Sequence, residues 1–103
     1  MVQKKQSITI GNIIKLVCKY YNLSPKELIS RSRKRSVVRP RQIAIYLARK
    51  YTDQPLQAIG KSFNRYHATA LHAIGTVEKG LQQGGPIQGH IEYLTQKLES
   101  GDY

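Results

Sequence analysis

The sequence predicts an all-α fold, a compact bundle of about six helices formed as a single domain over 1–103. Three observations carry that prediction. Apolar residues recur at three- and four-residue spacings along most of the chain. No stretch alternates with the two-residue period of a strand, and there is no internal repeat or low-complexity tract. Proline, glycine and small polar residues punctuate the chain at intervals suited to short helices. At 103 residues, 40% of them hydrophobic, the chain can fill one modest core and not two. With seven Tyr, one Phe and no Trp, aliphatic side chains must supply most of that core.

Each element has its own reason. In "TIGNIIKLVCKYY", Ile10, Ile13, Ile14, Val17, Cys18 and Tyr21 share a face and Thr9 can cap the start, so a first helix runs from about Thr9 to Tyr21. "LSPKELIS" places Ser24 as N-cap, Pro25 at the first helical position and Glu27 three residues after the cap, a capping box that opens a short helix to about Ser30. "RSRKRSVV" lacks a period and reads as a loop. From Pro40, the series Ile43, Tyr46, Leu47 and Tyr51 marks a third helix that ends near "TDQP". Pro55 can start a short fourth helix with Leu56, Ile59 and Phe63 on one face. After "NRY", a fifth helix carries Leu71, Ile74, Val77 and Leu81 together. "LQQGGPIQG" breaks the chain, and Ile87, Ile91, Leu94 and Leu98 define the sixth helix. The fourth and fifth helices, short and joined by a tight polar turn, make a helix-turn-helix candidate.

Charge is distributed unevenly. The net charge is +11, yet the first fifty residues hold thirteen bases and one acid, while the remainder hold four bases and five acids. Six bases and no acid fall between Arg31 and Arg41. Crowding of this kind suits a polyanion and serves no purpose in solubility alone, so nucleic acid is the leading partner, with anionic lipid or ribosomal RNA behind it. Arg39 and Arg41, read as the start of the third helix, oppose that helix's dipole by about 0.3–1 kcal/mol each, a penalty an approaching phosphate reverses.

A two-part grip on duplex DNA follows. Only the major groove distinguishes all four base pairs and admits a helix, so the front of the fifth helix, "NRYHATA", would enter it. Arg65, Tyr66, His67 and Thr69 have the length and polarity to reach base edges and phosphates, whereas Ala68 could touch only a thymine methyl. Arg31, Arg33, Lys34, Arg35 and Ser36, with Lys61 from the fourth helix, would lie along phosphates or enter the adjacent minor groove, where guanidinium groups favour narrow A·T-rich segments.

The run "SITIGNIIKLVCKYYNLSPKELISRSRKRSVVRPRQIAIYLARKYTDQPLQAIGKSF", and above all "RSVVRPRQIAIYLARKYT" followed by "LQAIGKSF" and "HATALHA", resembles the C-terminal DNA-binding domain of the bacterial replication initiator family, DnaA. The resemblance extends from about Ser7 to Leu98. It implies an all-helical domain of the Trp-repressor type that binds DnaA-box-like sites in double-stranded DNA as a monomer, in the cytoplasm at the bacterial nucleoid. By position it makes Arg33 the minor-groove arginine, Arg35, Arg39 and Arg41 its basic companions, and His67 and Thr69 members of the base-reading helix. The family usually reads "FGGRDHTTVLHA" where this chain has "FNRYHATALHA". One turn residue is missing, Tyr66 stands for an aspartate and Ala68 for a threonine; a later basic pair is Gly75 and Thr76. A tyrosine hydroxyl only partly imitates a carboxylate that accepts from a cytosine amino group, so an altered or relaxed sequence preference is implied.

Other classes are disfavoured. The sequence holds no nucleophile and base constellation, no carboxylate pair and no phosphate-cradling glycine loop, so neither enzyme activity nor ATP binding is expected of this chain. His67 and His72 are too far apart around a helix to share a metal, and no cofactor is expected. His72 reads as a packed histidine, His67 as either a DNA contact or a local cap. Gly75 would permit close helix packing. Tyr20, Tyr21, Tyr46 and Tyr51 read as core or core-edge residues. The lone Cys18 sits among apolar neighbours and suits a reducing cytoplasm. The N-terminal segment is interrupted by Asn12, Lys15 and Lys19, so it is neither a signal peptide nor a membrane span, and 1–6 reads as a flexible basic tail. Two alternatives stand beside duplex recognition: nonspecific RNA or architectural binding, and a protein-interaction module on a DNA-binding scaffold.

Overall fold

The computed structural model describes residues 8–103, so the basic tail expected over 1–6 lies outside the described residues. Six helices follow one another: α1 (Ile10–Tyr21), α2 (Pro25–Leu28), α3 (Arg35–Tyr51), α4 (Leu56–Ser62), α5 (His67–Gln82) and α6 (Ile87–Ser100). Among the described residues there is no strand. The local start signals behave as their chemistry requires. Thr9 Oγ1 accepts from the Asn12 amide at 3.0 Å while Asn12 Oδ1 accepts from the Thr9 amide at 3.1 Å. Ser24 and Glu27 make the same reciprocal box at 3.1 and 2.9 Å.

The long helix α3 is the axis of the fold, with α1, α2, α4 and α5 packed against it and α6 laid across α5 and α1. One continuous cluster forms the core, in which Ile13, Val17, Leu28, Ile43, Leu47, Ile59, Phe63, Ala70, Val77 and Leu94 are fully buried. Cys18 lies within it, and burial pushes its thiol pKa up, which makes it a poor nucleophile.

The structure corrects three details of the sequence reading. The segment read as a loop, "RSRKRSVV", is helical from Arg35, and Pro40 sits inside α3 rather than at its start. The reason is a buried stripe of Val37, Pro40, Ala44, Leu47 and Ala48 that runs straight through the proline at helical spacing. The amides of Val37 and Val38 close the first turn on the Lys34 carbonyl at 2.9 and 2.8 Å. The charges facing the α3 dipole are therefore Lys34 and Arg35 at its front, not Arg39 and Arg41. Leu71, assigned to the inner face of α5, is 59% exposed, and small Ala70 and Ala73 are buried on that face instead. Gly75 permits no close approach, since a Cβ built on it would meet nothing within 4 Å.

Candidate nucleic-acid interface

The α4–α5 turn is built on backbone geometry. The Gly60 carbonyl accepts from the amides of Phe63 at 3.0 Å and Arg65 at 2.7 Å, and Asn64 adopts a left-handed conformation at φ 58° that reverses the chain. A Cβ on Gly60 would lie 2.7 Å from the Arg65 carbonyl oxygen, so only glycine allows the start of α5 to fold this tightly onto α4. Phe63, fully buried, pins the turn to the core. Neither Gly60 nor Asn64 was singled out from sequence, although a glycine at the helix-turn-helix corner is the signal that could have found the first.

The basic loop after α2 is ordered by its serines and by two arginines. Ser30 Oγ donates to the Glu27 carbonyl at 2.7 Å and accepts from the Ser32 amide at 3.2 Å, and Ser32 Oγ accepts from the Lys34 amide at 3.2 Å. Arg41, expected to meet DNA, is instead buried at 6% exposure. Its Nε donates to the Leu28 carbonyl at 2.8 Å, and its Nη2 donates to the carbonyls of Ser30 and Ser32 at 2.8 and 3.1 Å. Burial, reinforced by the charge of Arg65, pushes the Arg41 pKa down, yet a guanidinium keeps its proton in a protein. Arg65, also expected to face DNA, is half-buried and turned inward. Its Nη2 donates to the Ser30 carbonyl at 2.8 Å, and its Nη1 donates to the carbonyls of Asn64 and Phe63 at 3.0 and 3.3 Å.

These two supports bring the loop and the helix-turn-helix to one concave face. A cleft of about 1140 Å³ runs between them, with Arg31 and Arg33 on the loop side and Lys61, Tyr66, His67 and Thr69 on the α4–α5 side. Arg41 and Arg65 lie at its floor, and Val38, Gln57 and Asn64, which carry no sequence signal of a site, are also part of the wall. No Asp or Glu lines it among the described residues. Tyr66, at the N-cap of α5, is 84% exposed and makes no side-chain capping bond. His67, Ala68 and Thr69 follow it, all exposed. Lys34, Arg35, Ser36 and Ala68 are exposed but outside the cleft wall. Arg39 is half-buried and does not line the cleft, and its charge opposes the upward shift of the Tyr21 hydroxyl. His72, expected to be packed, is exposed. Among the described residues no three His, Cys, Asp or Glu side chains gather closely enough to hold a metal ion, and no helix is long and apolar enough to cross a membrane.

A tight α4–α5 corner on a helical scaffold, with a basic cleft beside the front of α5, defines a helix-turn-helix domain with a surface complementary to a polyanion. The profile of the bacterial DnaA helix-turn-helix matches residues 10–77, and the chain belongs to that family. It is 50% identical over 103 residues to the chromosomal replication initiator protein DnaA of Desulfatibacillum aliphaticivorans, a match that covers 100% of this chain and 23% of that protein. The DnaA protein of Bacteroides thetaiotaomicron is 41% identical over 95 residues, 91% of this chain and 20% of its own length. That of Nautilia profundicola is 39% identical over 97 residues, 93% of this chain and 22% of its own length. The chain thus spans less than a quarter of the length of these relatives.

Proposed function

We propose that this domain binds double-stranded DNA without catalysing a reaction on it, in replication initiation or its regulation, and that it reads two adjacent grooves at once. The observation that carries this reading is the acid-free cleft between the basic loop and the front of α5. A sugar-phosphate strand is what separates a minor groove from the major groove beside it. A protein that grips both must leave a channel for that strand between its two reading elements. On this reading Arg33, on the loop side of the cleft, enters the minor groove, Tyr66, His67 and Thr69, on the α4–α5 side, enter the major groove, and Lys61 beside them meets the strand, a reading supported by their lining of one cleft. Lys34, Arg35 and Ser36, exposed at the front of α3, meet the flanking phosphates, and Ala68 meets a base methyl. Family membership supports the DNA ligand and its place at the nucleoid.

The base preference differs from that of relatives with an acidic reader. Tyr66 offers a hydroxyl where a carboxylate would accept from cytosine, and Ala68 offers only a methyl. Selection of bound sites from a random duplex library tests the proposal. Enrichment of a DnaA-box-like motif, altered where Tyr66 and Ala68 reach, is the expected result. Engagement of roughly five to seven phosphates gives a log–log salt slope of about −4 to −6. Equal competition by duplex DNA, structured RNA and an unrelated polyanion would overturn sequence reading in favour of nonspecific binding. Failure to bind any duplex at low salt would leave the protein-interaction module.

A further inference from the structure

Two guanidinium groups from distant parts of the chain converge on a single backbone atom, the carbonyl oxygen of Ser30. Arg41 reaches it from α3 at 2.8 Å and Arg65 from the α4–α5 turn at 2.8 Å. Arg41 also holds the carbonyls of Leu28 and Ser32, on either side of Ser30, so three carbonyls of the loop turn inward on one side chain. Arg65 simultaneously holds the carbonyls of Phe63 and Asn64 in its own turn. The two like charges lie close enough to disfavour each other, and no carboxylate lines the cleft above them among the described residues. Such a contact is costly to assemble for solubility or for a generic charged surface. It is well suited to fixing one segment of backbone against another, because a planar guanidinium donates in several set directions at once.

On the reading that the cleft receives duplex DNA, we propose that Arg41 and Arg65 are positioning residues rather than DNA contacts, and that through the Ser30 carbonyl they set the spacing between the minor-groove loop and the major-groove helix. Arg41 orients the loop so that Arg31 and Arg33 point outward. Arg65 ties that oriented loop to the turn from which α5 starts. The protein then measures the step from one groove to the next with a rigid link, and the register of its site is written partly in two side chains that touch no base or phosphate.

The experiment uses the duplex selected by the unaltered protein, together with versions carrying one base pair inserted or deleted between the segment protected by the loop and that protected by α5. Binding of the unaltered protein, Arg65→Met and Arg65→Lys is measured across a salt series, with thermal melting to establish that each variant is folded. A positioning role predicts that Arg65→Met loses about tenfold in affinity for the selected duplex and binds it and its respaced versions almost equally, with an unchanged salt slope. Arg65→Lys, which keeps the charge and loses the planar fork, shows the same loss. Arg41→Lys does likewise, and the effect of Arg33→Ala shrinks in the Arg65→Met background because the loop is no longer held in place. A salt slope reduced by about 1 in Arg65→Met, restored together with affinity by Arg65→Lys, would make Arg65 a phosphate contact and overturn the proposal. Spacing discrimination retained by both Arg65 variants would also overturn it. If the unaltered protein itself ignores spacing, the two-groove reading fails first, and the positioning role falls with it.

Discussion

Around the cleft, charged side chains are held by backbone carbonyls; where α1 and α3 meet α6, polar side chains are held by one another. The Tyr21 hydroxyl and His90 Nδ1 share a hydrogen bond at 2.7 Å, Tyr51 donates to Glu99 Oε2 at 2.7 Å, and Lys97 pairs with Asp102 at 2.8 Å. Tyr20 stacks on Tyr93 with ring centroids 5.0 Å apart and meets Tyr21 edge-on at 4.8 Å. Lys97 and Asp102, of opposite sign, cancel each other's field, and the two tyrosine bonds add no positive charge, so the α6 end of the molecule holds little attraction for a polyanion. A carbonyl dipole steadies a guanidinium without neutralising it. The loop end thus keeps the shape of a packed structure and the potential of an unpaired one, which is what a surface for a polyanion requires.

Substitutions can sharpen or break this contrast. The largest effect is expected at the cleft's anchor: Phe63→Ala should lower unfolding free energy by about 3–5 kcal/mol, measured by urea denaturation, because its ring is fully buried beneath the turn. Gly60→Ala should cost about 1–3 kcal/mol in the same assay and weaken DNA binding as well, since the added Cβ collides with backbone that cannot swing aside. Arg33→Ala should weaken binding roughly tenfold at sites with an A·T-rich minor groove and much less elsewhere, whereas Lys97→Ala, at the α6 end, should leave titrations unchanged. An equal loss from both would erase the distinction between the two regions.

The smallest effect concerns pH and is carried by two tyrosines at the α6 end. Burial raises the Tyr21 hydroxyl to about 12, with Tyr20 adding to the shift and Arg39 opposing it. Burial and the bond to Glu99 raise Tyr51 to about 12 as well. A raised folded-state value means that the native protein holds protons the unfolded chain has released. The associated stability is therefore present in full below about pH 10 and is lost as pH rises towards 12. Denaturation midpoints followed across that window should fall less steeply in the double variant Tyr21→Phe, Tyr51→Phe, and no less steeply in Arg33→Ala.

How far the sequence reveals this molecule depends on where each residue's partner lies. The caps at Thr9 and Ser24 are legible because their partners are three residues away. The stripe Ile87, Ile91, Leu94 and Leu98 is legible because burial follows the helical period. The front of α3 is not, because Pro40 carries the mark of a helix start while its burial with Val37 belongs to a helix already under way. Arg41 and Arg65 mislead for a deeper reason. Their partners are carbonyls, which every residue possesses, so nothing in the sequence separates an arginine bound to backbone from one waiting for phosphate. The Tyr21–His90 bond spans 69 positions and likewise has no local signature.

Pro40 has a mechanical consequence. It has no amide hydrogen to offer the Ser36 carbonyl four residues earlier, so the ladder of α3 has a missing rung between its tip and its shaft. The shaft is clamped by neighbours along its length, while the tip carries exposed Arg35 and Ser36. Burial compensates there: Val37 and Pro40 are both packed into the core, so side-chain packing holds the tip in line where one bond of the ladder is absent.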